Sequence, residues 1–183
     1  ITFVSIGARN SVGVFVTPMQ EDPGLALTLP MISLAAALGF LVNGVSQPFM
    51  GWVYDKLGGR KVIVVSLTVL GVCTILLSQT NHILFLIFFY SLVASMFMSG
   101  SSISTTGALL TRWFRRKRST ALGLSTAGAS MGGLVMVPFA MYMLQATDSW
   151  RITWVAIGAI ILLGVPIAYL ILRDDPKDMG LLP

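Results

Sequence analysis

The chain has 183 residues, of which 55% are hydrophobic and only 10% are charged, and its mean hydropathy is +0.85. Soluble domains carry about 25% charged residues, so this composition excludes an ordinary soluble globular protein. The 12 basic and 7 acidic residues gather in short clusters between long apolar stretches, which is typical of a protein that crosses a membrane several times.

Six apolar runs are long enough to cross a hydrocarbon core of about 30 Å as helices of roughly 20 residues. In chain order they occupy about residues 1–19, 29–54, 62–78, 83–114, 121–146 and 152–172. They are apolar on every side, which argues against the alternating pattern of a membrane β-barrel. No basic segment or cleavage site precedes the first run, so no signal peptide is predicted and the first span is expected to be truncated. The expected fold is an all-α membrane protein with six transmembrane helices.

The basic residues indicate how the spans are oriented. Six spans place the loops alternately on two sides, and ten of the 12 basic residues fall on one side. By the positive-inside rule this side is cytoplasmic, with both ends of the chain, while Glu21, Asp22, His82 and Asp148 lie outside. Nucleic-acid binding is not expected, because the bases are spread through short loops beside lipid. The ten are Lys56, Arg60, Lys61, Arg112, Arg115, Arg116, Lys117, Arg118, Arg173 and Lys177.

The segment between the second and third runs carries the strongest motif. It reads Gly51-Trp-Val-Tyr-Asp55-Lys56-Leu-Gly58-Gly59-Arg60-Lys61. It resembles the signature cytoplasmic loop of the major facilitator superfamily, Gly-x-x-x-Asp-Arg/Lys-x-Gly-x-Arg/Lys-Arg/Lys. Physically, Gly51 allows close helix approach, Gly58 and Gly59 permit a tight reversal, and Asp55 offers a carboxylate to nearby bases. A generic positive-inside loop with turn glycines is the alternative.

Other segments extend the resemblance over the whole chain. Residues 113–123 resemble the connection between spans four and five of this superfamily, and residues 150–151 and 175–183 resemble the start of span six and the segment after it. Residues 9–18 and 128–133 resemble the branch that includes monocarboxylate transporters and oxalate/formate antiporters. Many members have an arginine in span four, whereas residues 84–111 here contain no charge, so the coupling role of that arginine is not carried over.

The resemblance implies that residues 1–183 form one half of a twelve-span transporter, the amino-terminal one. Each half then consists of two inverted three-helix repeats, and the substrate binds near the bilayer midplane between the halves. The partners implied are the carboxy-terminal half, the lipid bilayer and a small substrate. The motif loop between spans two and three would hold a cytoplasmic gate closed. The candidate gating residues are Gly51, Asp55, Lys56, Gly58, Gly59, Arg60, Lys61 and Arg112.

Arg9 is the one charged side chain well inside a predicted span, where an arginine costs about 2.5 to 3.5 kcal/mol on insertion scales. A guanidinium binds a carboxylate through two parallel hydrogen bonds, so Arg9 is a candidate anion site. The alternative is that Arg9 reaches to the membrane interface. The monocarboxylate transporter resemblance implies a basic residue of this role in span one, and a one-residue shift in alignment would place Asn10 there.

Uncharged polar residues supply further candidates. In span four Ser91, Ser95, Ser99, Ser102 and Thr106 recur at separations of three or four residues, which places them on one helix face. That face either lines an aqueous path or packs and hydrogen-bonds a neighbouring helix. The same two readings apply to Asn43 and Gln47 in span two. The candidate substrate-binding residues are Arg9, Asn10, Asn43, Gln47, Ser95, Ser99 and Ser102.

No catalytic constellation, metal cluster or phosphate loop is present in the sequence, so neither an enzyme nor a bound cofactor is expected. The expected function is secondary active transport of a small organic anion, a mono- or dicarboxylate, by alternating access. Symport, antiport and coupling to a proton remain open. The alternative is a self-sufficient six-helix channel or a membrane adaptor, which would need no second half.

Overall fold

The computed structural model describes residues 1–22, 24–25, 27–114 and 117–173, and these residues are helical apart from short connections. Arg115, Arg116, Lys177 and the motif at residues 175–183 lie outside this part. The helices form six rods, which we number in chain order.

Rod 1 contains α1 (Thr2–Asn10), a 3₁₀ turn (Ser11–Phe15) and α2 (Val16–Glu21). Rod 2 is α3 (Leu29–Leu57), and rod 3 is α4 (Gly59–Leu76) with a 3₁₀ turn (Leu77–Gln79). Rod 4 contains α5 (Ile83–Leu86), a π-helical segment (Ile87–Ala94), α6 (Ser95–Gly100) and α7 (Ile103–Trp113). Rod 5 is α8 (Arg118–Thr147), and rod 6 is α9 (Trp150–Ile171).

The prediction of six helices is confirmed, and each rod lies within a few residues of a predicted span. Rods 2 to 6 are long and apolar enough to cross a membrane. Rod 1 is not among these five candidate spans, so the expectation of six transmembrane helices is met by five of the six rods: rod 1 carries the polar pair Arg9 and Asn10, and its 3₁₀ turn divides it into helices of nine and six residues.

Three pairings organise the bundle: rod 1 packs on rod 5, rod 2 on rod 4, and rod 3 on rod 6. Small residues let these backbones approach closely. A side chain at Gly7 would meet the Gly132 carbonyl at 2.7 Å across rods 1 and 5, and one at Gly71 would meet Leu162 at 2.7 Å across rods 3 and 6. The core between these rods is apolar and includes the fully buried Ile157.

Contacts at the two ends fix the alternating direction of the rods. At one end Arg60 of rod 3 donates to the Tyr169 carbonyl of rod 6 at 2.7 Å, and Trp113 of rod 4 donates to the Arg173 carbonyl at 3.0 Å. We call this the basic end. At the other end, which we call the Asp22 end, Trp150 of rod 6 donates to Asp22 after rod 1.

Candidate functional site

A small cavity lies inside the bundle, bordered by rods 1, 2, 3, 4 and 6. Its volume is about 30 Å³, room for about one water molecule. It brings three of the predicted substrate-binding residues together, Arg9, Asn43 and Ser95, from three different rods. The other polar side chains that line it are Ser5, Thr74, Tyr90 and Trp154.

Arg9 enters this cavity without an acidic partner. Its guanidinium carbon lies 3.9 Å from the ring centre of Phe40 on rod 2, a cation–π contact, and the side chain is half-buried. Among the described residues no carboxylate forms an ion pair with Arg9. The charge of Arg9 is therefore balanced only in part, by the face of the Phe40 ring.

Asn43, Ser95 and Ser99 tie rod 2 to rod 4. The Asn43 amide donates to the Ser95 carbonyl and to Ser99 Oγ, both at 3.0 Å, and Ser99 Oγ donates to the Asn43 carbonyl at 2.8 Å. Further along, Ser91 Oγ donates to the Ala35 carbonyl at 2.6 Å. These contacts are those expected if the polar residues pack and hydrogen-bond a neighbouring helix. Asn43 and Ser95 also border the cavity.

A wider cleft opens between rods 2 and 4 at the basic end, with a volume of about 350 Å³. We call it the basic-end cleft. It is lined by the predicted substrate-binding residues Gln47, Ser99 and Ser102 together with the predicted gating residues Gly51, Asp55 and Arg112. Sequence spacing alone assigned these to separate groups, whereas the fold places them around one opening.

Asn10 does not share the cavity with Arg9. It is exposed, and its side-chain nitrogen lies 2.7 Å from where a side chain of Gly133 on rod 5 would begin. Successive residues of a helix point about 100° apart, so only one of the two can face a given cavity. The structure places Arg9 there.

The turn after rod 2 has the predicted tight reversal. Gly58 has φ 85°, a region open to glycine, and its N–H donates to the Tyr54 carbonyl at 3.0 Å. Gly59 lies under the Tyr54 ring, and a Cβ atom added to Gly59 would lie 2.5 Å from the ring atom Cε2. A residue larger than glycine is therefore disfavoured at both positions.

The bases near Asp55 are occupied elsewhere. Lys56 lies 3.9 Å from the ring centre of Trp52, one turn earlier, Arg60 binds the Tyr169 carbonyl, and Arg112 lies 5.2 Å from the ring centre of Tyr54. Asp55 is exposed and borders the basic-end cleft, which Arg112 also lines, but it forms no ion pair with the expected bases among the described residues.

Sequence reasoning missed Ser5, Tyr90 and Trp154 as cavity residues. Ser5 precedes Arg9 by four residues on one face of α1, and this spacing was the available signal. Trp154 stacks on Phe15 with ring centres 4.1 Å apart, and its buried N–H has no partner within the described part of the chain. Nothing in the sequence distinguishes Trp154 from an ordinary packing residue.

The exposed residues of rods 1, 2, 4 and 5 include polar and small side chains beside large apolar ones such as Leu41 and Leu134, whereas those of rod 6 are apolar, Leu163 among them. A side chain added at Gly13, Gly44, Gly51 or Gly123 would meet open space, as would one at Gly164 of rod 6. We use the name polar face for the exposed polar and small residues of rods 1, 2, 4 and 5, which are Asn10, Gly13, Thr17, Gly44, Gln47, Gly51, Ser104, Ala108, Gly123, Thr126, Ala127 and Ser130.

No cluster of three His, Cys, Asp or Glu side chains suited to a metal ion occurs among the described residues. The polar groups of the cavity and the cleft are suited to hydrogen bonding and charge pairing, which is the chemistry of reversible binding.

Comparison with known proteins assigns the family. The profile of the Major Facilitator Superfamily matches residues 1–183, so the chain belongs to this superfamily. The superfamily consists of membrane transporters and not of enzymes, which confirms the prediction that the chain is not an enzyme.

Three relatives illustrate the range of this similarity. The chain is 24% identical to the probable sulfoacetate transporter SauU of Cupriavidus necator, over 96% of this chain and 40% of that protein. It is 28% identical to the riboflavin transporter RibJ of Trypanosoma brucei brucei, over 75% and 25% respectively. It is also 28% identical to the membrane sensor protein UhpC of Salmonella typhimurium, over 86% and 35%. The chain therefore spans less than half the length of these relatives.

Proposed function

We propose that this chain forms the amino-terminal half of a secondary transporter that moves a small organic anion, a mono- or dicarboxylate, by alternating access. The observation that carries the proposal is Arg9, a half-buried guanidinium in the bundle interior with no acidic partner among the described residues. A guanidinium can bind a carboxylate through two hydrogen bonds, so a substrate anion would supply the missing charge.

The polar face supports the proposed second half. Polar side chains and bare glycine backbone are costly against lipid chains, and helices in membranes pack through small residues. Six further spans covering rods 1, 2, 4 and 5 would leave the apolar surfaces of rods 3 and 6 against lipid. The substrate route would then run between the halves, past Arg9 towards the basic-end cleft.

The helix pairings support two inverted three-helix repeats. In such a fold rods 1, 2 and 3 are the equivalents of rods 4, 5 and 6. Exchanging each rod for its equivalent turns the observed pair of rods 1 and 5 into the pair of rods 4 and 2, which is also observed. The same exchange leaves the observed pair of rods 3 and 6 unchanged. This is the relation expected of a transporter half built from repeats.

The excess of bases at one end supports a cytoplasmic position for the basic end and for both ends of this segment. In that orientation the turn at Gly58 and Gly59, with Asp55, Lys56, Arg60, Lys61 and Arg112, borders the cytoplasmic gate. We propose that Arg9, Asn43 and Ser95 contact the substrate once the cavity between them widens, because its present volume of about 30 Å³ holds only about one water molecule. Gln47, Ser99 and Ser102 would then line its path to the cytoplasm, and Asn10 would contact rod 5.

The name of the Cupriavidus necator relative refers to sulfoacetate, an organic anion, which agrees with a charged substrate, whereas the trypanosome relative is named for riboflavin. The monocarboxylate and oxalate/formate branch therefore remains part of the proposal.

A ligand screen tests the proposal. Thermal unfolding of the full-length protein is measured with equal concentrations of mono- and dicarboxylates, their neutral amides, amino acids and sugars. We expect stabilisation by one or more carboxylates and none by the matched amides, because ligands that bind the native state raise its stability. Equal stabilisation by an acid and its amide would contradict an anion site.

The second candidate is a self-sufficient channel or membrane adaptor, and the similarity to a protein named as a membrane sensor keeps it open. Vesicles that contain residues 1–183 alone distinguish the two. The half-transporter predicts insertion without saturable uptake, because one wall of the route is absent. Saturable, substrate-specific uptake by this segment would favour the six-helix alternative.

A further inference from the structure

A second concave surface lies outside the proposed transport route. It is a groove of about 160 Å³ between rods 2, 3 and 4, on their outward side near the basic end. Apart from Lys61 and Ser66 its lining is apolar, and it includes Phe49, Val53 and Leu57 of α3, Val62 and Val65 of α4, and Phe97 of α6. Several of these side chains are strongly exposed, such as Leu57 at 57% and Val65 at 52%. We call it the outer groove.

Lys61 gives the outer groove its charge. It is the third residue of α4, in the first turn of the helix, and is exposed. Its neighbours in sequence and space have protein partners: Lys56 lies over the Trp52 ring, and Arg60 binds the Tyr169 carbonyl. Lys61 makes no hydrogen bond or ion pair within the part of the chain that the structure describes. An unengaged ammonium group therefore borders an apolar groove.

The nearby carboxylate does not neutralise it. Asp55 lies on a different face of α3 from Val53 and Leu57 and lines the basic-end cleft, not the outer groove. Among the residues that the structure describes, no acidic side chain lines the outer groove. An occupant must therefore combine an apolar body with a negative head at the level of the helix ends.

We propose that the outer groove binds an anionic phospholipid, with one acyl chain against α3, α4 and α6 and the phosphate paired with Lys61. A lipid chain is the apolar molecule that a bilayer supplies at this depth, and an ammonium group at a helix end attracts an anionic headgroup. Bound there, the lipid bridges rods 2, 3 and 4 beside the Gly58 turn. The lipid proposal rests on the proposed function in one respect, which is that the basic end lies in the cytoplasmic leaflet.

Lipid competition measured by native mass spectrometry tests this inference. The full-length protein is presented with equal amounts of phosphatidylglycerol and phosphatidylcholine of identical acyl chains, and the ratio of the two bound forms is recorded. We expect a preference for phosphatidylglycerol. Lys61→Gln should reduce that preference about fivefold, the size of one basic residue's attraction near a membrane surface. Lys61→Arg should retain most of it.

Lys56→Gln is the matched control, because it removes the same charge at the same end from a residue that does not line the groove. We expect its lipid preference to equal that of the parent. Val65→Trp fills the groove and leaves Lys61 in place, so it should reduce the binding of both lipids. An unchanged preference in Lys61→Gln, or an equal loss in Lys56→Gln, would overturn the proposal in favour of a diffuse basic surface.

A last arm separates lipid from free phosphate. Excess glycerol phosphate, the headgroup without its chains, should leave the bound phosphatidylglycerol in place, and displacement would overturn the acyl-chain assignment. No substrate is present in any arm, so the result is independent of the transport proposal. Because Lys61 is exposed at a helix end, its variants remain informative even if Val65→Trp folds poorly.

Discussion

The indole N–H of Trp150 donates a 3.0 Å hydrogen bond to Asp22 Oδ2, which joins the start of rod 6 to the end of rod 1. Arg151 lies 3.6 Å from the same oxygen and also donates to the Ser78 carbonyl of rod 3 at 2.8 Å. Rods 1, 3 and 6 are thereby held together at the Asp22 end. We call these contacts the Asp22 clasp.

The Asp22 clasp predicts a pH-dependent stability. The backbone N–H of Gly24, the Trp150 indole and Arg151 hold the pKa of Asp22 below its ordinary value of 3.8. Because the pKa is lower in the folded than in the unfolded protein, the carboxylate contributes its full stabilisation at pH values above the pKa of the unfolded protein. This stabilisation is lost as the pH falls through the pKa of the folded protein. We expect Asp22→Asn to unfold at a lower temperature than the parent at pH 7.

That difference in unfolding temperature should shrink as the pH is taken below about 3.8. Glu21→Gln is the control, because it removes a charge from the adjacent exposed residue, which lies outside the clasp. A gap between Asp22→Asn and the parent that stays constant over the acid range would exclude a charge-dependent clasp.

Close packing of rods 1 and 5 depends on Gly132. A side chain there would overlap the Phe3 carbonyl of α1, whereas one at Gly164 on rod 6, outside the polar face, would meet open space. We expect Gly132→Ala to destabilise the protein by about 1 to 3 kcal/mol, as overpacking does. Gly164→Ala should not destabilise it. Comparable unfolding temperatures for the two variants would contradict the close approach.

The positions of the helices follow from the apolar runs, because a span of about 20 apolar residues has few other stable forms in a bilayer. The interruptions within rods 1 and 4 were not predicted. Hydropathy is the same for a 3₁₀ turn, a π-helical segment and an α-helix, and residues 87–94 carry no proline or glycine to mark the change.

The candidate site was predictable only in part. The spacing of Ser91, Ser95 and Ser99 placed them on one helix face and left packing on a neighbouring helix as one of two readings, but it did not identify rod 2 as that neighbour. The cavity residue Trp154 and the Asp22 clasp each depend on contacts between segments more than 100 residues apart along the chain. Sequence periodicity reports neighbours on one helix and contains no information on such contacts.

Asp55 is expected to affect gating more than binding. It is exposed in the basic-end cleft, where a change of state would alter its surroundings. We expect Asp55→Asn in the full-length protein to slow transport much more than it weakens substrate binding, because it shifts the balance between inward- and outward-facing states.

A thiol at the exposed Ser104, also in the basic-end cleft, reports this balance, since the native Cys73 is buried. In Ser104→Cys protein, Asp55→Asn should change the rate of labelling by a water-soluble thiol reagent. Glu21→Gln, at the opposite end, should not. Normal transport together with unchanged labelling would remove the gating role of Asp55.

The proposed role of Arg9 is to bind the carboxylate of the substrate. Arg9→Gln should then weaken binding by about 1.5 to 3 kcal/mol, the range for charge-assisted hydrogen bonds, or roughly 10- to 150-fold. Arg9→Lys should keep part of the affinity, because the charge remains while the two-pronged geometry is lost. Arg118→Gln, which removes an exposed arginine at the basic end, should bind as the parent does.

Calorimetric titration of the carboxylate identified by the ligand screen, on correctly folded full-length protein, measures this effect. We expect an affinity for Arg9→Gln at least about tenfold below that of the parent and of Arg118→Gln. An Arg9→Gln affinity within about twofold of the parent would show that Arg9 serves insertion or packing, and would contradict the anion site.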